Sequence, residues 1–243
     1  MIELLGVGVP RPDRGWLLHR VCATIEAGEL TLVEGRDGDE RRALLDTLTG
    51  RRIPDEGRVW INRLPVMAES LGRVRRLCAD IDPGASLVGR RSLFWNALAP
   101  ASGPRALGRL LRLRRRQERE AALAALERVG LRAKADDPVA ALSGFDRLRF
   151  LIARALARRP RHLVVRDPDS AVGADQIGGL LALLRLLARG DRLGIVVSLV
   201  DGTAGRAFAD RVLVLGEGLL LFHGRAEALA EPRAAWNARA LTR

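Results

Sequence analysis

The sequence predicts an α/β fold: a mostly parallel sheet with helices on both faces, an N-terminal antiparallel β-subdomain and an inserted helical subdomain. Three observations predict it. Short apolar runs at Leu30–Val33, His162–Val165 and Leu193–Leu199 read as buried strands, and segments of helical spacing separate them. A glycine turn, Gly35-Arg36-Asp37-Gly38, joins the first run directly to the helical segment Ala43–Leu48. The stretch 85–142 interrupts the alternation with helical patterns only.

The elements follow in order. Gly57–Asn62 reads as a strand of the small antiparallel sheet. Residues 83–104 are rich in Pro, Gly and Ser and read as loops around a short helix at Leu93–Leu98. Helical spacing runs from Leu107 to Val129 and again from Gly144 to Arg158, where Leu148, Leu151, Ile152, Ala155 and Leu156 share a face. Leu180–Leu187 reads as a helix that starts near Ile177. Val212–Leu215 and Leu219–His223 flank Gly216-Glu217-Gly218 and read as a hairpin. The expected organisation is one domain over 1–243, with 1–84 and 143–243 forming the α/β core and antiparallel sheet and 85–142 the inserted helices.

Composition narrows the function classes. Of 243 residues, 48% are hydrophobic, which suits a full core and excludes a disordered chain. The formal net charge is +12, carried almost wholly by arginine, since Lys134 is the only lysine. Cys22 and Cys78 form neither a disulfide framework nor a metal pattern. No basic leader opens the chain and no apolar run is long enough to span a bilayer, so a cytosolic location is expected.

Strand, glycine turn and helix form the layout of a phosphate-binding loop, G-x-x-x-x-G-K-[ST], whose backbone N–H groups cradle phosphates. Here the segment is Gly35-Arg36-Asp37-Gly38-Asp39-Glu40-Arg41-Arg42. Further segments agree in order and spacing. Ile25–Leu30 and Thr49-Gly50 flank the loop, and Pro54-Asp55-Glu56-Gly57 follows its helix. Ala141-Leu142-Ser143-Gly144 leads into Ile152–Ala157. Pro168–Ala171 follows the second buried strand, and Ala209–Leu215 closes the set. Together these resemble the ABC-type ATPases, with their P-loop NTPase-type core, over nearly the whole chain.

That resemblance implies ATP and Mg²⁺ as ligands, a transmembrane subunit as partner, and head-to-tail pairing with a second chain. The departures fall on the chemical positions. Glu40 stands at the second glycine of the loop, Arg41 at its lysine and Arg42 at its hydroxyl residue. Arg166 stands at the Mg²⁺-supporting aspartate, where a guanidinium repels a cation. Asp167 stands at the catalytic carboxylate, one methylene shorter than glutamate. Asp82 lies at the glutamine loop, Gly173 at the aspartate that reaches across the dimer and Val200 at the switch histidine. Ser143 and Gly144 of the signature remain, and Phe145 replaces the next glycine. Trp16 stands at the aromatic that stacks on adenine, or is simply a packed tryptophan.

The expected function is therefore a catalytically impaired ABC subunit on the cytosolic face of a membrane, paired with a competent ATPase chain. A divergent active ATPase and a soluble ABC-like assembly protein are the alternatives. Arg41 and Arg42 are expected to pair with Asp37, Asp39 and Glu40, satisfying the loop without ligand. The stretch Arg105–Arg119 fits a solvated helix face, anionic lipid or an acidic partner loop. Nucleic acid ranks low, because no aromatic residues interleave with these arginines.

Overall fold

The computed structural model describes residues 1–98, 110–200 and 202–229, the side chains of 110–115 excepted. The chain divides into two compact units, Met1–Asp80 with Arg161–Arg243, and Ile81–Pro160. The second unit therefore begins earlier than residue 85 and runs past 142, taking in the helix that follows Ser143.

The first unit holds two sheets. Strands β1 (Ile2–Pro10), β2 (Trp16–Ile25), β4 (Glu56–Ile61) and β5 (Leu64–Pro65) form an antiparallel sheet in the order β2-β1-β4-β5. Strands β3 (Leu30–Gly35), β6 (Cys78–Ile81), β7 (His162–Val165), β8 (Gly194–Ser198), β9 (Arg211–Gly216) and β10 (Leu219–Arg225) form the other. Its order is β10-β9-β3-β8-β7-β6, with β9, β3, β8 and β7 parallel and β10 antiparallel to β9. The apolar runs of β3, β7 and β8 are buried throughout, as strands covered on both faces must be.

Helix α1 (Gly38–Thr49) lies between the sheets. Leu44, Leu45 and Leu48 share one core with Ile2, Leu4, Leu18 and Ile61 of the antiparallel sheet and with Val33, Val164, Val196 and Leu213 of the other. Asp37 caps α1 by accepting the Asp39 N–H at 2.8 Å. Gly50 ends it in the left-handed region at φ 68, where a Cβ would come within 2.8 Å of Val74 Cγ1. Val74 lies on α2 (Leu71–Leu77).

The longest strands, β1 and β2, are not individually legible in the sequence, because Gly6, Gly8 and Arg20 break their alternation with register shifts and positive φ. Helix α6 (Ala174–Asp191) starts at Ala174, about a turn before the expected Ile177. Gly178 and Gly179 hide its first turns from an apolar pattern.

The second unit is helical. It holds α3 (Leu93–Leu98), α4 (Leu110–Arg128) and α5 (Gly144–Leu156), which bury Leu93, Ala122, Leu126, Leu148 and Ile152. Asn96, 3% exposed, pins α3 by bonding both backbone groups of Val88 at 3.0 and 3.1 Å. Of the arginine-rich stretch, Arg105 and Arg109 lie outside the described residues. Arg116 pairs with Glu120 at 3.0 Å, and the Arg119 guanidinium lies 4.9 Å from the Phe94 ring centre. No helix among the described residues is long and apolar enough to cross a membrane.

Candidate functional site: an arginine-filled phosphate-type loop

The loop that joins β3 to α1 positions its residues through the parallel sheet. β3 ends at Gly35, α1 begins at Gly38, and β7 ends beside them so that Arg166 and Asp167 follow directly. Arg41 is 4% exposed and turns inward from the first turn of α1. Its side chain runs inside the loop, with Cγ beside Gly35 and Nη2 beside Gly38. Nη1 donates to the Gly35 carbonyl at 2.5 Å, while Nε and Nη2 face the two Asp167 carboxylate oxygens at 3.3 and 3.4 Å.

Asp167 sits in a left-handed conformation, φ 33 and ψ 56. The Ser198 hydroxyl donates to Asp167 Oδ1 at 2.7 Å, and Ser198 Oγ in turn accepts the Asp167 N–H at 3.0 Å. The carboxylate is thus held between a hydroxyl and a guanidinium.

The expected pairing of Arg41 and Arg42 with the loop acids needs correcting. Only Arg42 meets one, Asp39, at 3.6 Å on the exposed face of α1. Arg41 faces the sheet, so Asp167 is the acid within its reach. Asp37 pairs instead with Arg11 of the β1–β2 turn at 2.5 Å, and that partner holds its carboxyl below the usual aspartate range. Glu40, 2% exposed, accepts the Gly218 N–H at 2.8 Å through Oε1, while Oε2 has no partner. Burial pushes the Glu40 carboxyl up.

Arg166 makes a second cluster. Nε and Nη2 meet Asp80 Oδ1 and Oδ2 at 2.7 and 3.1 Å, and Nη2 also meets Asp46 at 2.7 Å. Thr49 Oγ1 lies 3.4 Å from the same nitrogen, and Arg51 pairs with Asp80 from its other side. Burial alone would lower the Arg166 pKa; the hydrogen bonds and charges of Asp80 and Asp46 outweigh it and raise it. A divalent cation does not suit this donor set. Asp46 and Asp80 face guanidinium groups already, and so does Asp167. No group of His, Cys, Asp and Glu among the described residues has the arrangement of a metal site.

Trp16 stacks on His19, with ring centres 5.1 Å apart. Gly173 precedes α6 in an extended conformation. Val200 is 56% exposed, and its backbone N–H donates to Asp169 Oδ2 at 2.9 Å. Asp82, in the helical unit, accepts the Gly84 N–H at 2.8 Å. In the same unit Ser143 caps α5 by accepting the Asp146 N–H at 3.1 Å, with Gly144 opening the helix. Phe145 lies under the Arg149 guanidinium at 5.0 Å, and Asp146 pairs with Lys134 at 2.5 Å and with Arg149.

Sequence reasoning missed Arg11, Asp46, Asp80, Arg51 and the pair of Glu34 with Arg206. Two signals were available. Glu34 and Arg166 each end an otherwise apolar buried strand, where a charge needs a partner brought from elsewhere in the chain.

Comparisons with known proteins agree with this architecture. The family described as ABC transporter matches residues 18–170. The chain is 33% identical over 233 residues to "Phosphonates import ATP-binding protein PhnC 2" of Cupriavidus metallidurans, covering 95% of this chain and 84% of that one. It is 33% identical over 243 residues to the protein of the same name from Rhodopseudomonas palustris, covering 94% and 80%. Among solved structures, cbiO1 from Clostridium perfringens, part of the ABC transporter complex cbiONQ, superposes with a TM-score of 0.81. It has 20% identity and covers 99% of this chain and 94% of that one. The ADP conformation of the ATP-binding cassette MJ1267 superposes with a TM-score of 0.82 at 18% identity, covering 98% of each chain. The chain belongs to the ABC transporter family, as an ATP-binding-type subunit.

Proposed function

We propose that this chain is a catalytically impaired ATP-binding-type subunit that docks on a transporter's membrane subunit, on the cytosolic face, beside a competent ATPase chain. The observation that carries the reading is the pair of inward arginines. Arg166 holds Asp46 and Asp80, and Arg41 holds Asp167 and the Gly35 carbonyl. Phosphoryl transfer depends on metal neutralisation and on a carboxylate that orients water. In this chain protein cations face the carboxylates nearest the loop, and the walls of the loop are bonded to each other.

Head-to-tail pairing of two such chains would give two loops filled in the same way, which favours a heteromer. The names of the relatives support an import system and phosphonates as the cargo class. Calorimetry with Mg-ATP tests the reading. No heat at millimolar nucleotide supports it; micromolar binding overturns the filled loop that carries it, and hydrolysis is then measured with the partner chains present.

A second reading, a divergent active ATPase, draws on those same relatives, each named as an ATP-binding protein across 80% or more of its length. In it Asp167 orients the attacking water and Arg41 holds phosphate. Mg²⁺-dependent hydrolysis that disappears in Asp167→Ala would establish this reading in place of the first.

A further inference from the structure

Glu34 precedes Gly35 at the end of β3, and it is 2% exposed. A carboxylate taken out of water there requires a charged or hydrogen-bonding partner. Arg206 provides one from far along the chain. Its Nε donates to Oε1 at 2.8 Å and its Nη2 to Oε2 at 2.7 Å, a two-point charge-assisted contact.

The turn that carries Arg206 is built around the same carboxylate. A Cβ on Gly202 would overlap the Glu34 carboxyl carbon, so the backbone lies directly against it. Gly205 closes on Leu199 and Leu32, where a Cβ would stand 2.7 and 3.0 Å from their methyl carbons. Within the turn the Gly205 N–H bonds the Gly202 carbonyl at 2.9 Å, and the Phe208 N–H bonds the Gly205 carbonyl at 3.0 Å.

Two features separate this pair from the ordinary ion pairs of the surface. Its carboxylate is almost wholly buried, so parting the charges leaves one of them unpaired in a low dielectric. It also joins the root of the phosphate-type loop to the turn that follows β8, two segments that share no strand or helix.

We propose that the Glu34–Arg206 pair is a latch that holds the Gly202–Arg206 turn against the root of the loop, in one arrangement whether nucleotide is offered or not. The latch deepens the function proposed above and rests on it in one respect, the indifference to nucleotide. A ligand shifts a conformational equilibrium only by its differential affinity for the two arrangements. Any ligand that moved this turn would first have to part a buried, two-point ion pair.

Hydrogen–deuterium exchange on the full chain tests the latch, read at peptides covering Gly202–Ala209. In the wild type, exchange there is slow and unaltered by millimolar Mg-ATP. Glu34→Gln accelerates it by about tenfold or more, while peptides of β1 and β2 stay within about twofold. Arg206→Lys keeps the charge, loses the two-point geometry and gives an intermediate acceleration; it carries the readout if Glu34→Gln does not fold.

Unchanged exchange in both variants overturns the latch, and so does a wild-type turn that responds to Mg-ATP. Calorimetric binding of Mg-ATP with an unmoved turn defeats the filled loop on which the proposed function rests and leaves the latch standing. A loop that rejects ATP beside a turn insensitive to both substitutions does the reverse.

Discussion

Arg41 and Asp167 face each other across the mouth of the β3–α1 loop, guanidinium Nε to carboxylate Oδ1 at 3.3 Å and Nη2 to Oδ2 at 3.4 Å. The arginine comes from a helix and the aspartate from the end of a strand, 126 residues apart in sequence. The contact therefore exists only in the folded chain.

If inward arginines keep nucleotide out, one substitution will not reopen the loop. Arg41→Lys releases the Gly35 carbonyl but leaves Arg166 in place, and calorimetry should still show no Mg-ATP heat. The triple variant Arg41→Lys, Arg42→Ser, Arg166→Asp restores the lysine, the hydroxyl and the acid together. It should bind Mg-ATP, with heat that disappears when EDTA is added.

Arg166→Ala removes the shared counter-charge of Asp46 and Asp80, whose side chains are 25% and 13% exposed. Breaking a largely buried ion cluster from one side costs about 3 kcal/mol. Urea unfolding at neutral pH should show a loss of that size. Arg166→Met with Asp80→Leu leaves one carboxylate without Arg166 in place of two and frees only the half-exposed Arg51, so a smaller loss is expected for the pair than for Arg166→Ala alone.

His162 gives the fold a pH dependence. Its ring is fully buried in β7, with Nε2 3.1 Å from Asn62 Oδ1 and Gly194 packed against Nδ1. Burial, with the N-terminal amine and Arg161 adding like charge, lowers its pKa from 6.5 to about 3. The stability given by the neutral ring is complete above pH 6.5 and is lost as pH falls toward 3, by about 1.4 kcal/mol per unit. His223, lowered by burial, acts in the same direction, and Glu40, raised by burial, opposes it at the acid end. Urea midpoints measured from neutral to mildly acid pH should fall, and His162→Leu should flatten that slope.

The Ser143 hydroxyl accepts the Asp146 N–H at the start of α5. Ser143→Ala should cost about 1 kcal/mol, the usual worth of such a cap. Thermal unfolding should show the loss, and Ser143→Asp should restore most of it.

The sheet and the loop were legible because buried parallel strands are short apolar runs and a glycine turn followed by a helical pattern is distinctive. The antiparallel strands β1 and β2 were less so, since bulges at Gly6 and Gly8 break their period. Within the candidate site, residue types such as Arg166 and Asp167 followed from position in the sequence, but pairings did not. Nothing near Arg41 in sequence says that it faces the sheet instead of Asp37, and nothing near Asp80 says that Arg166 will meet it. Those contacts depend on which face of α1 packs inward and on β6 lying beside β7.

Arg166 is attached to the same chain as the acids it neutralises. A dissociable counter-ion is present in proportion to its concentration; a tethered one has a local concentration fixed by the fold. The counter-charge of Asp46 and Asp80 is therefore present whether free magnesium is high or low. This corner of the protein is a fixed part of the frame, and it takes no reading of the solution around it.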